Sequence, residues 1–123
     1  MNDITGEVVR AAIRVHSALG PGSLESAYRT CLVPVIRSRG LRVESECPRP
    51  LVFDGVRIDV GYRIDLLVEG MVVVEVKAVQ QLLPIHQAQL LSYPKLGRLP
   101  VGLLINFHFH VPHLRQGIKR MVN

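Results

Sequence analysis

Two apolar segments decide the fold: Tyr62-Arg63-Ile64-Asp65-Leu66-Leu67-Val68 and Met71-Val72-Val73-Val74-Glu75-Val76-Lys77, separated by Glu69-Gly70. Their content of Val, Ile and Leu is typical of strands, and the Glu-Gly pair favours a turn, so the stretch predicts a β-hairpin. Glu75 and Lys77 stand two residues apart and therefore leave the same face of their strand. Charged groups in apolar strands need compensation, because burying an unpaired charge costs free energy.

A divalent metal ion shared by Asp65 and Glu75 would provide that compensation. Two carboxylates, together with waters and a substrate phosphate, form an oxygen ligand set that suits Mg²⁺. Lys77 could then position or help deprotonate the attacking water, or stabilise charge on the phosphate. The alternative is an ordinary salt bridge, since Glu/Lys pairs are common on exposed strands. The Val and Leu residues around the three charged groups favour the metal.

The length of the turn tests this hypothesis. With a two-residue turn at Glu69-Gly70, Asp65 lies opposite Val74 and faces away from Glu75. A shared metal site therefore requires a three-residue loop, a bulge or a bend that restores the parity of the two strands. We predict that irregularity.

The rest of the chain predicts a mixed α/β domain over residues 1–123, a length that suits one domain. Asn2 or Asp3 caps a first helix with an apolar stripe, and Gly20-Pro21-Gly22 ends it. A second helix buries Leu24, Ala27, Cys31 and Val35 or their neighbours. The predicted elements are a helix to about Leu19, a helix from near Ser23 to Gly40, strands at Leu41–Glu46, Leu51–Phe53 and Val56–Val60 around an Asp54-Gly55 turn, a helix from Pro84 to about Leu96, a strand at Leu99–Phe107, and a short helix or turn at His113–Val122.

Charge is distributed unevenly along the chain. The net charge is +5, yet residues 1–75 carry nine basic and ten acidic side chains. No acidic residue follows Glu75, whereas six Lys or Arg residues do. A wholly basic segment indicates a polyanionic partner, with nucleic acid first and an anionic membrane surface second. The alternative is a solvated basic surface without a partner.

Three further features bear on location. The apolar runs are too short to span a membrane. The first residues lack the basic and apolar regions of a secretory signal. Cys31 and Cys47 form no CxxC pair, so we expect reduced thiols and a cytoplasmic protein.

The segment Gly22-Ser23-Leu24-Glu25-Ser26-Ala27-Tyr28 resembles the signature of the GxxExxY family, a branch of the PD-(D/E)XK nuclease superfamily. The resemblance implies a restriction-endonuclease-like core, in which helices flank a mixed β-sheet. It also implies hydrolysis of phosphodiester bonds with Mg²⁺, or Mn²⁺ in its place. It continues through residues 62–68, 74–78, 88–93, 102–107 and 117–120, and so covers nearly the whole chain.

Site residues follow from the resemblance position by position. Asp65 and Glu75 correspond to the metal carboxylates, the Val76 carbonyl to a backbone ligand, and Lys77 to the active-site lysine. Glu25 is similar to a helical glutamate that binds metal through water, although an acidic residue in a first helical turn is also favourable through the helix dipole alone. Tyr28 would orient Glu25 or simply belong to the core.

The helix after the lysine strand carries a second set of candidates. Gln89 and Tyr93 resemble the Gln-x3-Tyr pair of RecB-like nucleases, which supports the active site and approaches the nucleic-acid backbone; the alternative is a packing pair. Pro94, which follows Tyr93, departs from the family pattern. The candidate nucleic-acid-binding residues are Tyr93, Lys95, Arg115, Lys119 and Arg120.

The sequence also contains a candidate zinc site. His108, His110 and His113 could bind Zn²⁺ with Cys31 or Cys47, but no CxxC or HExxH pattern accompanies them and surface histidines are the simpler interpretation. Three functions therefore stand at this point. They are a metal-dependent nuclease acting on DNA, a nucleic-acid-binding module of the same fold, and a protein-interaction partner such as a homo-oligomer.

Overall fold

The computed structural model describes residues 2–86, 88, 99–110 and 113–122. Two helices precede a sheet of five strands. The elements are α1 (Asn2–Leu19), α2 (Glu25–Ser38), β1 (Val43–Phe53), β2 (Val56–Val68), β3 (Val72–Lys77), β4 (Val101–Asn106), a 3₁₀ helix (Leu114–Gly117) and β5 (Ile118–Val122). None of the described helices is both long and apolar enough to cross a membrane.

Both N-terminal helices lie close to their predicted bounds. The stripe on α1 is largely confirmed, since Val8, Ala11, Ala12 and Val15 are buried. The buried face of α2 is formed by the neighbours of three predicted residues, namely Tyr28, Leu32 and Ile36, while Leu24 is 76% exposed. Leu24 has an extended backbone at the N-cap position, before the first helical residue. The buried stripe of α2 therefore begins at Tyr28.

The sheet order is β1-β2-β3-β4-β5. Strands β3 and β4 are parallel, and the other neighbouring pairs are antiparallel. The mixed sheet with flanking helices agrees with the predicted fold class. Residues 84–86 are helical as predicted, and most of the predicted continuation to about Leu96 lies outside the described residues.

The first hairpin merges two predicted strands into one. Strand β1 continues through Pro48 and Pro50, with a shift in its pairing register between Arg49 and Leu51. It lies at the edge of the sheet, where a proline without an N–H is tolerated. The Asp54-Gly55 turn is confirmed, because Phe53 pairs with Val56 and both turn residues have positive φ.

The prediction for residues 113–122 is wrong in its second half. Only Leu114–Gly117 forms a helical turn, and Ile118–Val122 is a strand that pairs with β4. A segment this short has no decisive period of its own. The free edge of β4 supplies backbone partners, and Ile118 packs on the core from that position.

Each face of the sheet carries an apolar cluster. The larger one lies between the sheet and both helices and includes Val72, Val74 and Val76. The smaller one covers the opposite face and includes Val73 and Leu104. Because strand residues alternate, Glu75 and Lys77 are on the face of the smaller cluster.

Candidate active site

The turn between β2 and β3 has three residues, as a shared metal site requires. Val68 pairs with Val72 and Leu66 with Val74, which leaves Glu69, Gly70 and Met71 in the loop. Glu69 and Gly70 have φ values of 53° and 65°. Continuing the same register places Asp65 opposite Glu75. The predicted irregularity is therefore confirmed.

Strand β2 also bends at Asp65. Ile64 belongs to the smaller apolar cluster, whereas Leu66 belongs to the cluster beneath the helices. Two residues on one regular strand would share a face, so the strand changes its orientation between them. On the neighbouring strand, Glu46 has a φ of 52°, a strained conformation for a residue with a side chain, and it interrupts the ladder opposite Asp65.

Hydrogen bonds bring the two carboxylates together. The Val76 N–H donates to Asp65 Oδ2 at 2.9 Å. The Asp65 N–H faces Glu75 Oε1 at 3.5 Å. Each carboxylate is thus held against the backbone of the other strand, and the structure brings together Asp65, Glu75 and the Val76 peptide as predicted. Their assignment as metal ligands stays a prediction.

Burial strongly raises the pKa of the Glu75 carboxyl group. Its side chain is 7% exposed. Desolvation, followed by the nearby charge of Asp65, raises the pKa of Glu75 to about 8, and the positive charge of Lys77 acts in the opposite direction. A buried carboxyl group whose pKa is strongly raised by desolvation and by a neighbouring carboxylate is typical of functional sites.

Glu75 should make the metal-free protein less stable as the pH rises. Its pKa is about 8 in the folded protein against an ordinary value of 4.5, so the folded state binds more protons than the unfolded chain between these values. The free energy of unfolding should therefore fall across this window, by up to about 1.4 kcal/mol per pH unit. Urea unfolding in EDTA at about pH 5, 7 and 9 measures it. A Glu75→Gln variant should flatten the profile, and wild-type stability that rises across the window would contradict the assignment.

The oxygen donors present fit a small divalent cation. Asp65 and Glu75 supply two converging carboxylates, and Mg²⁺ commonly takes one or two carboxylates with waters and phosphate oxygens. A cation there would also offset the repulsion that raises the pKa of Glu75. Among the described residues, no three His, Cys, Asp or Glu side chains gather closely enough to hold a metal. Glu25 is accordingly not brought into a direct ligand cluster with the two carboxylates.

Arg29 is a site residue that the sequence reasoning missed. Its guanidinium lies 3.8 Å from Asp65 Oδ1 and 3.3 Å from Glu46 Oε1, and its side chain is 21% exposed. It stands four residues after Glu25, so the two share one face of α2 and Glu25 lies on the side of the helix that faces Asp65. That spacing was the signal in the sequence.

Tyr28 is a buried core residue, the second of its two predicted roles, and it also fixes a turn. Its hydroxyl donates to the Gly20 carbonyl at 2.5 Å and accepts from the Ser23 N–H at 3.1 Å. The buried ring stacks on Phe107 with centroids 4.3 Å apart. Tyr28 therefore holds the turn between the helices, in which Gly22 adopts a φ of 107°. This turn sets where α2 begins.

A second missed residue, Asn106, fixes the end of the lysine strand. Its side chain is 1% exposed and bonds both backbone groups of Val79, accepting from the N–H and donating to the carbonyl. The Phe107 N–H adds a bond to the Lys77 carbonyl at 2.8 Å. These bonds tie the chain just after Lys77 to β4.

The candidate nucleic-acid-binding residues divide between the two faces. Glu75 pairs with Leu104, which pairs with Lys119, so Lys119 lies two strands away on the face of Glu75, a separation of roughly 10 Å. Arg120 alternates onto the opposite face. Arg115 is exposed in the 3₁₀ helix. Gln89, Tyr93 and Lys95 lie outside the described residues.

A cavity with both polar and apolar walls lies next to this face. Its volume is about 230 Å³, and its wall is formed by Gln80, Gln81, Leu82, Asn106, Phe109, Gln116 and Lys119. The amide and ammonium groups in this wall are of types that can bond phosphate oxygens and base edges.

The histidine-rich segment does not join this site. His108, His110 and His113 are exposed. Cys31 and Cys47 are free thiols, and burial, with a hydrogen bond to Glu44, raises the pKa of Cys47. No zinc ligand group is formed by the part of the chain that the structure describes.

Comparison with known proteins gave one result that covers almost the whole chain. A family model described as the PD-(D/E)XK nuclease superfamily matches residues 2–121. Searches of curated proteins and of solved structures gave no significant match. The mixed sheet with flanking helices is consistent with the restriction-endonuclease-like α/β fold. This chain belongs to the PD-(D/E)XK nuclease superfamily.

Proposed function

We propose that this protein is a metal-dependent nuclease that hydrolyses phosphodiester bonds, with DNA as its substrate, and that it falls in the GxxExxY branch of its superfamily. The observation that carries the proposal is the meeting of Asp65 with the buried Glu75 across a three-residue turn. Membership of the nuclease superfamily supports it. A buried carboxylate such as Glu75, next to a second one, destabilises a fold unless a cation compensates its charge.

The chain's own groups have separable roles in this reaction. Asp65, Glu75 and the Val76 carbonyl would hold Mg²⁺ or Mn²⁺, which when bound supplies Lewis-acid stabilisation and an activated water. Lys77 would position the attacking water or stabilise charge on the phosphate, since it leaves the same face as Glu75. Glu25, which shares a face of α2 with Arg29, would act through water. Gln89 keeps its proposed supporting role from the resemblance.

The substrate would lie across the sheet face that carries Lys77 and Lys119. Lys119 would bind a phosphate next to the scissile one, because it lies two strands from Glu75 on the same face. Arg115 would contact the backbone further along, and Tyr93 and Lys95 keep their proposed contacts. Arg120 would bind a strand that wraps around the edge of the sheet. Such contacts make binding strongly salt-dependent.

A cleavage assay tests the proposal. Purified protein is incubated with plasmid and with short single-stranded DNA in Mg²⁺, Mn²⁺ or EDTA. Wild type should cleave only with metal, and Lys77→Ala should lower the rate by about 10²–10³-fold, as loss of a charge-stabilising group does elsewhere. Asp59→Ala changes an exposed carboxylate and should leave the rate unchanged. Cleavage that survives in Lys77→Ala would reveal a contaminating nuclease or another site.

One observation favours a second function, a protein-interaction module. The tip of the β1–β2 hairpin exposes three apolar side chains on one face, each at least 47% accessible: Phe53, Val56 and Ile58. Such a patch is typical of an association surface, with a second copy of this chain as one partner. Binding of DNA without metal-dependent cleavage would instead favour a catalytically weak module. Sedimentation over a range of concentrations separates self-association from both.

A cytoplasmic location is also part of the proposal. Both cysteines are free thiols in the structure, which suits a reducing compartment.

A further inference from the structure

Arg29 occupies an unusual electrostatic position. Its guanidinium bridges two carboxylates, with Glu46 at 3.3 Å and Asp65 Oδ1 at 3.8 Å. Only the distance to Glu46 is that of a hydrogen bond. Glu46 reaches this place from a strained backbone, with a φ of 52°. A strained backbone conformation of this kind persists only where the surrounding structure enforces it, and such residues cluster at functional sites.

The two carboxylate oxygens of Asp65 have different partners. Oδ2 accepts the Val76 N–H, which fixes the carboxylate on β3. Oδ1 is the oxygen that faces the guanidinium. A cation bound by Asp65 and Glu75 must therefore approach the charge of Arg29, and two positive charges a few ångströms apart repel. Glu46 offers the guanidinium a partner that does not belong to the metal site.

We propose that Arg29 binds the scissile phosphate, and that in the metal-free protein its guanidinium is held on Asp65 as a substitute cation. Occupation of the carboxylate pair moves the guanidinium off Asp65 while Glu46 keeps it beside the site. Its planar guanidinium can then form hydrogen bonds to two phosphate oxygens at once, a bidentate geometry that is typical of arginine. This inference rests on the proposed function and adds to it a residue that contacts substrate.

The proposal predicts opposite changes in two affinities. Removing the guanidinium should tighten binding of Mn²⁺ alone by about three- to tenfold, because a competing charge is lost. It should weaken binding of a short fluorescent DNA duplex by about tenfold, because a charge-assisted contact to phosphate is lost. The first is read from the Mn²⁺ dependence of thermal unfolding. The second is read from fluorescence anisotropy in Ca²⁺, which keeps cleavage low.

Arg29→Ala is compared with Arg10→Ala, which removes another ion-paired helical arginine. Arg29→Gln serves as a second variant that retains hydrogen bonding and packing if the alanine variant folds poorly. A purely structural arginine would lower stability without tightening Mn²⁺ binding. The inference is overturned if the Mn²⁺ midpoint is unchanged or weaker, or if duplex affinity equals that of Arg10→Ala.

The same experiments separate this inference from the proposed function. A wild-type protein that cleaves DNA while Arg29→Ala shows neither shift overturns only the role of Arg29. A wild-type protein that never cleaves, but whose Arg29 variants show both shifts, overturns the nuclease proposal and supports Arg29 as a phosphate-binding residue.

Discussion

Glu75→Gln should stabilise the metal-free protein and at the same time abolish its response to metal. At about pH 9 the wild-type carboxylate is ionised in a buried position beside Asp65, so a neutral isostere should raise the free energy of unfolding by at least about 2 kcal/mol. In wild type, Mn²⁺ at about a hundred times its Kd should add roughly 2.7 kcal/mol of stability. That gain should vanish in the variant, and cleavage should fall by about 10³-fold.

Denaturant unfolding with EDTA or Mn²⁺ measures both effects on one protein. Glu44→Gln is the matched control, because Glu44 lies on the edge strand β1 and is exposed. It should respond to Mn²⁺ as wild type does. Wild-type stability that ignores Mn²⁺, or a Glu75→Gln variant that is less stable than wild type in EDTA, would contradict the metal assignment.

Gly117→Ala should destabilise the fold through a backbone clash. A Cβ at this position would stand 2.6 Å from the Asn106 carbonyl oxygen and 2.7 Å from the Phe109 ring. The Asn106 carbonyl belongs to the backbone of β4 and cannot move away cheaply, so we expect a loss of about 3 kcal/mol. The end of β4 should shift, and with it the Asn106 bonds that hold the chain after Lys77.

Thermal and urea unfolding measure that loss, and cleavage by the folded fraction reports the displacement near Lys77. Gly6→Ala is the control, since Gly6 lies inside α1 and an added Cβ would meet only the flexible end of Arg10. It should stabilise the protein by up to about 1 kcal/mol through helix propensity. Equal effects of the two substitutions would exclude the clash as the cause.

The irregularity of the charged hairpin could be predicted from sequence because successive side chains of a strand point to opposite faces of the sheet. Once Asp65 and Glu75 are required to meet, the turn must have an odd length or the strand must bend, and the structure has both features. The helix bounds were similarly accessible, since Gly20 and Gly40 end helices in positive φ.

What could not be predicted depends on contacts between distant segments. The strand at Ile118–Val122 forms because β4 leaves an edge to be paired, a property of the assembled sheet. The spacing from Glu25 places Arg29 on a shared helix face but does not identify its partners, because Glu46 and Asp65 are brought to it only when α2 lies across the first strands. Asn106 likewise bonds Val79, a residue 27 positions away.

The three-residue turn has a consequence for how such proteins can change over evolutionary time. Replacing Glu69 removes its ion pair with Arg42 and leaves the parity of β3 unchanged, whereas deleting one codon in the turn would invert the side on which every later side chain of β3 emerges. Selection should thus reject insertions or deletions of a single residue in this turn more strongly than it rejects substitutions.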